Sequence, residues 1–143
     1  MNRIIIITLF LLVGHVSAQA QFTENADSAF AFARERNKAV LLVFSGSDWC
    51  APCMRFEKKV LKDPLFIRFS DSSLILVNAD FPQGKKLPPP VVKQDEDLAE
   101  KYNPSGLFPL IVLLRSDQQV LAYLKYQNES AQDFISAINQ YLL

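Results

Sequence analysis

Two apolar runs constrain this chain more than any other feature. Ala39–Ser45 reads AVLLVFS and Leu74–Asp80 reads LILVNAD. Both are continuous rather than alternating, the pattern of strands buried on two faces. Segments of helical period lie between them, so the two strands are predicted to run parallel through a right-handed crossover. A later run, PLIVLLRSDQQVLAYLKY from Pro109, reads as two strands around a polar turn at Ser116 to Gln119, an antiparallel hairpin. The sum is an α/β fold with one mixed four-stranded sheet flanked by helices on both faces.

The helices follow from spacing and punctuation. Ala26 to Lys38 places Ala26, Ala29, Phe30 and Ala33 on one face, with Arg34, Glu35 and Arg36 toward water. A helix opening near Pro52 extends to about Lys62, where Asp63-Pro64 breaks it, and Leu65 to Asp71 continues helically. Phe81 to Val92, FPQGKKLPPPVV, is expected to be an extended, exposed loop. Lys93 to Tyr102 reads as a short helix. The chain closes on an amphipathic helix capped by Ser130, with Phe134, Ile135, Ile138, Tyr141 and Leu142 turned inward.

The first 20 residues carry a different signature. Arg3 precedes an apolar run from Ile4 to Val13, and small residues lead to Ala18-Gln19-Ala20. This is the pattern of a secretory signal peptide, with cleavage expected after Ala20 or, as second choice, Ala18. The apolar core is about half the length that a spanning helix needs. No cysteine follows it to receive a lipid. The expected division is a signal peptide over 1–20 and a single domain over 21–143, in a periplasmic setting.

Charge and histidine content narrow the chemistry. Without Arg3, 14 basic residues face 15 acidic ones, leaving no electrostatic case for nucleic acid. The one histidine, His15, lies in the expected signal peptide. Cys-His and Ser-His nucleophile schemes and histidine metal sites are therefore not expected in the domain. Two cysteines alone are too few for a zinc site. Neither a metal nor another cofactor is called for.

Those two cysteines stand in SDWCAPCMRFE, Ser47 to Glu57, beside the chain's one tryptophan. A bridge between Cys50 and Cys53 closes so small a loop that it adds little to folding. Structural bridges in secreted domains usually come as several separated pairs. At a helix start, by contrast, free N–H groups and the helix dipole favour the Cys50 thiolate, with Cys53 one turn away. Redox chemistry is the favoured reading over a passive staple.

FSGSDWCAPCMRFEKKVL resembles the active-site region of thioredoxin-like proteins, and the order of elements over the whole domain is similar to theirs. Trp49, Cys50, Pro52 and Cys53 match that family's motif, with Ala51 in place of the usual glycine. The SDWC-x-x-C-x-x-x-E pattern is similar to secreted members, including the C-terminal periplasmic domain of the transmembrane thiol-reductant transporter. The resemblance implies that Cys50 attacks and Cys53 resolves. It also implies a cis-proline opposite them, for which Pro109 is in place, and a substrate segment pairing with the backbone of Phe108. Phe108 and Trp49 then border the substrate groove.

One departure bears on proton transfer. The family usually carries a buried aspartate six residues before the first cysteine, and here that position is Phe44. At 100° per residue Glu57 falls within the apolar stripe of Cys53, Phe56, Val60 and Leu61. A desolvated carboxylate there would suit general-base work, so Glu57 is the expected substitute. A glutamate reaching solvent, or paired with Lys58 or Arg36, is the alternative. Asp48 is expected to cap the following helix, Asp80 to end its strand either near the site or, as the favoured reading, in solvent, and Arg55 to point outward.

The resemblance implies a thiol-disulfide oxidoreductase. Ala51 and Pro52 offer no cationic help to a thiolate, so a reducing or mildly poised dithiol is expected. Its partners would be disulfide-containing exported proteins and a membrane thiol-reductant donor. A disulfide isomerase or oxidase, and a non-enzymatic peptide-binding module of the same fold, are the rival readings.

Overall fold

A computed structural model describes residues 21–142. The signal-peptide reading over 1–20 lies outside the described residues. The chain order is β1 (Phe22–Thr23), α1 (Ala26–Arg36), β2 (Ala39–Ser45), α2 (Ala51–Phe56) continued by a π-helical turn (Glu57–Leu61), α3 (Pro64–Ser73), β3 (Leu74–Asp80), α4 (Pro89–Tyr102), β4 (Leu110–Leu114), β5 (Val120–Leu124) and α5 (Ala131–Asn139).

The sheet has five strands in the order β1-β3-β2-β4-β5, not the four expected. The addition is β1, two residues that pair parallel with β3 at the edge, Phe22 opposite Leu76 and Thr23 opposite Val77. Two residues are too few to show a period, which is why sequence patterning missed them. β2 and β3 are parallel, whereas β4 runs antiparallel to both β2 and β5.

Alternation along β2 sorts the two cores. Leu41 and Val43 face α3, α5 and the end of α2, packing with Phe56, Phe66 and Phe134. Val40, Leu42 and Phe44 face α1 and α4, packing with Phe30, Leu98 and Tyr102. Both faces of β2 are covered, as the unbroken apolar run required.

Helix ends differ from expectation where local chemistry decides them. α1 starts at Asn25, whose side chain accepts the Ser28 N–H, and stops at Asn37 in the left-handed region at φ 50°. α4 begins at Pro89, inside the stretch read as loop, because proline is well suited to a first turn that needs no N–H. α5 takes Ser130 as its cap and buries Phe134, Ile135 and Ile138. It ends at Asn139, so Tyr141 is exposed rather than inward.

Candidate active site

β2 stops at Ser45, and the chain turns through Gly46 to Trp49 into α2. The Cys50 N–H donates to the Gly46 carbonyl at 2.9 Å, closing that turn. The Trp49 indole lies directly over Gly46, where any Cβ would come within 2.2 Å of Cε2. Glycine is therefore required by the tryptophan rather than by backbone torsion. The indole N–H donates to the Phe81 carbonyl at 2.7 Å. Phe108 meets Trp49 edge-on at 5.4 Å and Phe81 at 5.5 Å, so three aromatic rings cluster around the residue before Cys50.

Cys50 and Cys53 form a disulfide. Cys50 is also the N-cap of α2, its Sγ accepting the Cys53 N–H at 3.3 Å. In the reduced state this donor and the helix dipole favour negative charge on Cys50. Both cysteines are nearly buried, at 4% and 5% exposure. The Phe108–Pro109 bond is cis. The loop leading to it is held by Asn103, whose amide donates to the Leu107 carbonyl and whose carbonyl accepts the Leu107 N–H, both at 2.9 Å. Gly106, at φ 62°, makes the turn inside that clamp.

Glu57 stands at the C-terminal end of α2. Beyond Phe56 the helix widens into a π turn, with the Lys62 N–H donating to the Glu57 carbonyl five residues back. That winding brings residues five apart into register. Glu57 accordingly pairs with Lys62 at 2.8 Å, and not with Lys58 or Arg36. Its side chain is 47% exposed, so it reaches solvent at one side. It nonetheless lines, with Cys53 and Pro109, a cavity of about 210 Å³.

Two carboxylates acquire roles that spacing did not reveal. Asp48 does not cap α2. It accepts the N–H groups of Gln83 and Gly84, at 2.9 and 2.6 Å, and these bonds hold its carboxyl below the usual carboxylate range. Asp80 is not a solvated strand end. Its side chain is only 12% exposed and accepts the Ser47 N–H at 2.9 Å and the Ser47 hydroxyl at 2.7 Å. Lys85 lies 3.2 Å away, and Asp80 lines the same cavity as Cys53.

Asp95, on α4, accepts the Asp80 N–H at 3.1 Å. It is 2% exposed, and burial pushes its carboxyl up to about 6, against the pull of that N–H and the Gln94 amide. The sequence carried a faint signal for it: Asp95 stands three residues before buried Leu98 and seven before buried Tyr102, on the inner face of α4.

A mixed sheet that delivers a two-residue-spaced cysteine pair to a helix start just past a central strand is the arrangement of thiol-disulfide oxidoreductases. The chain belongs to the thioredoxin-like family, whose model matches residues 21–116. It is similar to the disulfide bond reductase DsbH of Chlamydia pneumoniae, 26% identical over 119 residues that span 83% of this chain and 71% of that protein. A solved structure of a DsbH oxidoreductase superposes with a TM-score of 0.81 at 25% identity, covering 88% of this chain and 86% of that one. The oxidised C-terminal domain of Neisseria meningitidis DsbD shares the fold, with a TM-score of 0.58 at 22% identity over 81% of this chain and 91% of that one.

Proposed function

We propose that this oxidoreductase works as a reductase, opening disulfides of exported proteins in the periplasm. Cys50 attacks the substrate disulfide, and Cys53 then displaces the reduced substrate from Cys50. The observation that carries the reading is the Cys50–Cys53 disulfide at the α2 start, where Cys50 Sγ accepts the Cys53 N–H. Trp49, Phe108 and Pro109 form the substrate-binding border. Glu57, at the solvent side of the cavity beside Cys53, exchanges protons between that cavity and water.

Three features support the reducing direction. Ala51 and Pro52 bring no cation between the cysteines, so the thiolate form lacks the help that strong oxidants use. Asp48 places a carboxylate two residues before Cys50. The similar Chlamydia pneumoniae protein is itself described as a disulfide bond reductase. The signal-peptide pattern supports export, and re-reduction there requires a membrane thiol donor rather than a cytosolic reductase.

The test is an insulin reduction assay combined with equilibration against glutathione. A reductase accelerates reduction and equilibrates at a potential near that of thioredoxin, about −270 mV, well below the roughly −120 mV of a strong oxidant. An oxidising potential rejects the direction. Client binding that survives replacement of both cysteines by serine, without insulin reduction, rejects catalysis altogether. A Cys53→Ser trap then captures the clients as mixed disulfides.

A further inference from the structure

Resolution by Cys53 requires its thiol to lose a proton, yet Phe44 packs in the apolar core with Leu98 and Tyr102. The polar groups near Cys53 lie on another side. Ser47, Glu57 and Asp80 all line its 210 Å³ cavity, which has room for several waters at about 30 Å³ each. Glu57 is half in solvent and tied to Lys62, whereas Asp80 is nearly enclosed and fixed by Ser47.

We propose that Asp80 is the proton acceptor for Cys53, reached through a cavity water and the Ser47 hydroxyl. This rests on the reading of Cys53 as the resolving thiol. The Ser47 hydroxyl already donates to Asp80 Oδ2 at 2.7 Å, and its oxygen retains lone pairs to accept from a water bound by the Cys53 thiol. As that thiol ionises, its proton passes to the water, the water's to Ser47, and Ser47's to Asp80. The Cys53 thiolate then attacks Cys50 Sγ, forming the enzyme disulfide and breaking the bond to substrate. The second substrate thiolate leaves with the electron pair and takes a proton, the one held by Asp80 or one from solvent. Two enzyme thiols and one substrate disulfide become one enzyme disulfide and two substrate thiols.

The surroundings hold Asp80 in place for this role. Its backbone N–H is bound by Asp95 from α4, its carboxylate by Ser47 and, more distantly, by Ser45 at 3.4 Å. The charged groups around it are Lys85 from the following loop, Asp95 from α4 and, across the cavity, Glu57. Lys85 is more than half exposed, so it is free to move when Asp80 changes charge. Asp80 acts through Ser47 and water, so it is a positioning and proton-accepting group rather than one touching sulfur.

The experiment mixes pre-reduced protein with a symmetric aromatic disulfide whose thiolate is coloured. The first thiolate released reports capture by Cys50, the second reports resolution by Cys53. Asp80→Asn and Ser47→Ala should slow the second phase by about tenfold or more near neutral pH, with the first within about twofold. In both variants the second phase should keep accelerating with pH, as hydroxide replaces the relay, where wild type levels off. Asp80→Glu should recover part of the rate. A second phase at the wild-type rate in both variants overturns the inference. So does an equal slowing of both phases without rescue by glutamate, which makes Asp80 only an anchor for the turn. Absence of the first phase in wild type instead rejects Cys50 as nucleophile.

Discussion

The indole N–H of Trp49 donates to the carbonyl of Phe81 at 2.7 Å, tying the residue before the first cysteine to the loop after β3. The loop is thereby held to the active-site turn, since Asp48 binds its Gln83 and Gly84 N–H groups and Asp80 binds Ser47.

Trp49→Phe should keep an aromatic ring near Phe108 while losing the bond to Phe81. The expected cost is about 1 kcal/mol of stability, the net value of one hydrogen bond. Capture of a disulfide by Cys50 should slow a few-fold as the aromatic border loosens. Urea unfolding and the first coloured-thiolate phase measure the two effects.

Asp48→Ala should free the Gln83–Gly84 backbone with little effect on α2, because Asp48 does not cap that helix. Amide hydrogen exchange at Gln83 and Gly84 should speed up severalfold. Because the same two N–H bonds hold the Asp48 carboxyl below its usual range, wild-type protection should persist at about pH 4, where an ordinary aspartate is half protonated. Loss of protection at that pH in wild type would contradict the assignment.

Asp95 should make the protein more stable in mild acid. Its carboxyl titrates near 6 in the folded chain, above the ordinary 3.8 of the unfolded one. Between those values the folded state binds more protons, so stability rises as pH falls through the window and is lowest above it. Asp95→Asn keeps a carbonyl for the Asp80 N–H and removes the buried charge. It should raise stability at about pH 7.5 by up to roughly 3 kcal/mol and remove this group's gain on acidification to about pH 5. Urea unfolding at both pH values checks the sign.

Glu57→Gln should cost less than about 1 kcal/mol, since the lost pair with Lys62 is exposed. Its effect on the second coloured-thiolate phase should be a few-fold, smaller than that of Asp80→Asn. Ranking the two variants in one stopped-flow series separates a solvent-side proton exchanger from the inner acceptor.

Most of the architecture was readable because its signals are local. The unbroken apolar runs at Ala39–Ser45 and Leu74–Asp80 announced strands with two covered faces, and Cys50-Ala-Pro-Cys53 announced a dithiol at a helix start. What escaped depends on residues far apart in the chain. Asp80 is defined by Ser47, Asp48 by Gln83 and Gly84, and Asp95 by the end of β3. Periodicity sees which way a side chain points in a regular helix, and the pairing of Glu57 with Lys62 escaped it because the helix is not regular beyond Glu57. Nothing in EKKVL distinguishes a π turn from an α turn until tertiary packing of Val60 and Leu61 is known.

That π turn has a bearing on how relatives are matched to this chain. Where a homologue winds the same stretch as plain α-helix, the two backbones drift out of phase between Phe56 and Lys62, and faithful superposition demands a one-residue gap there. Glu57, whose N–H still bonds the Cys53 carbonyl four residues back, keeps its place ahead of the slip, and the residues beyond it occupy shifted points. Matching letters across this segment does not establish matching chemistry.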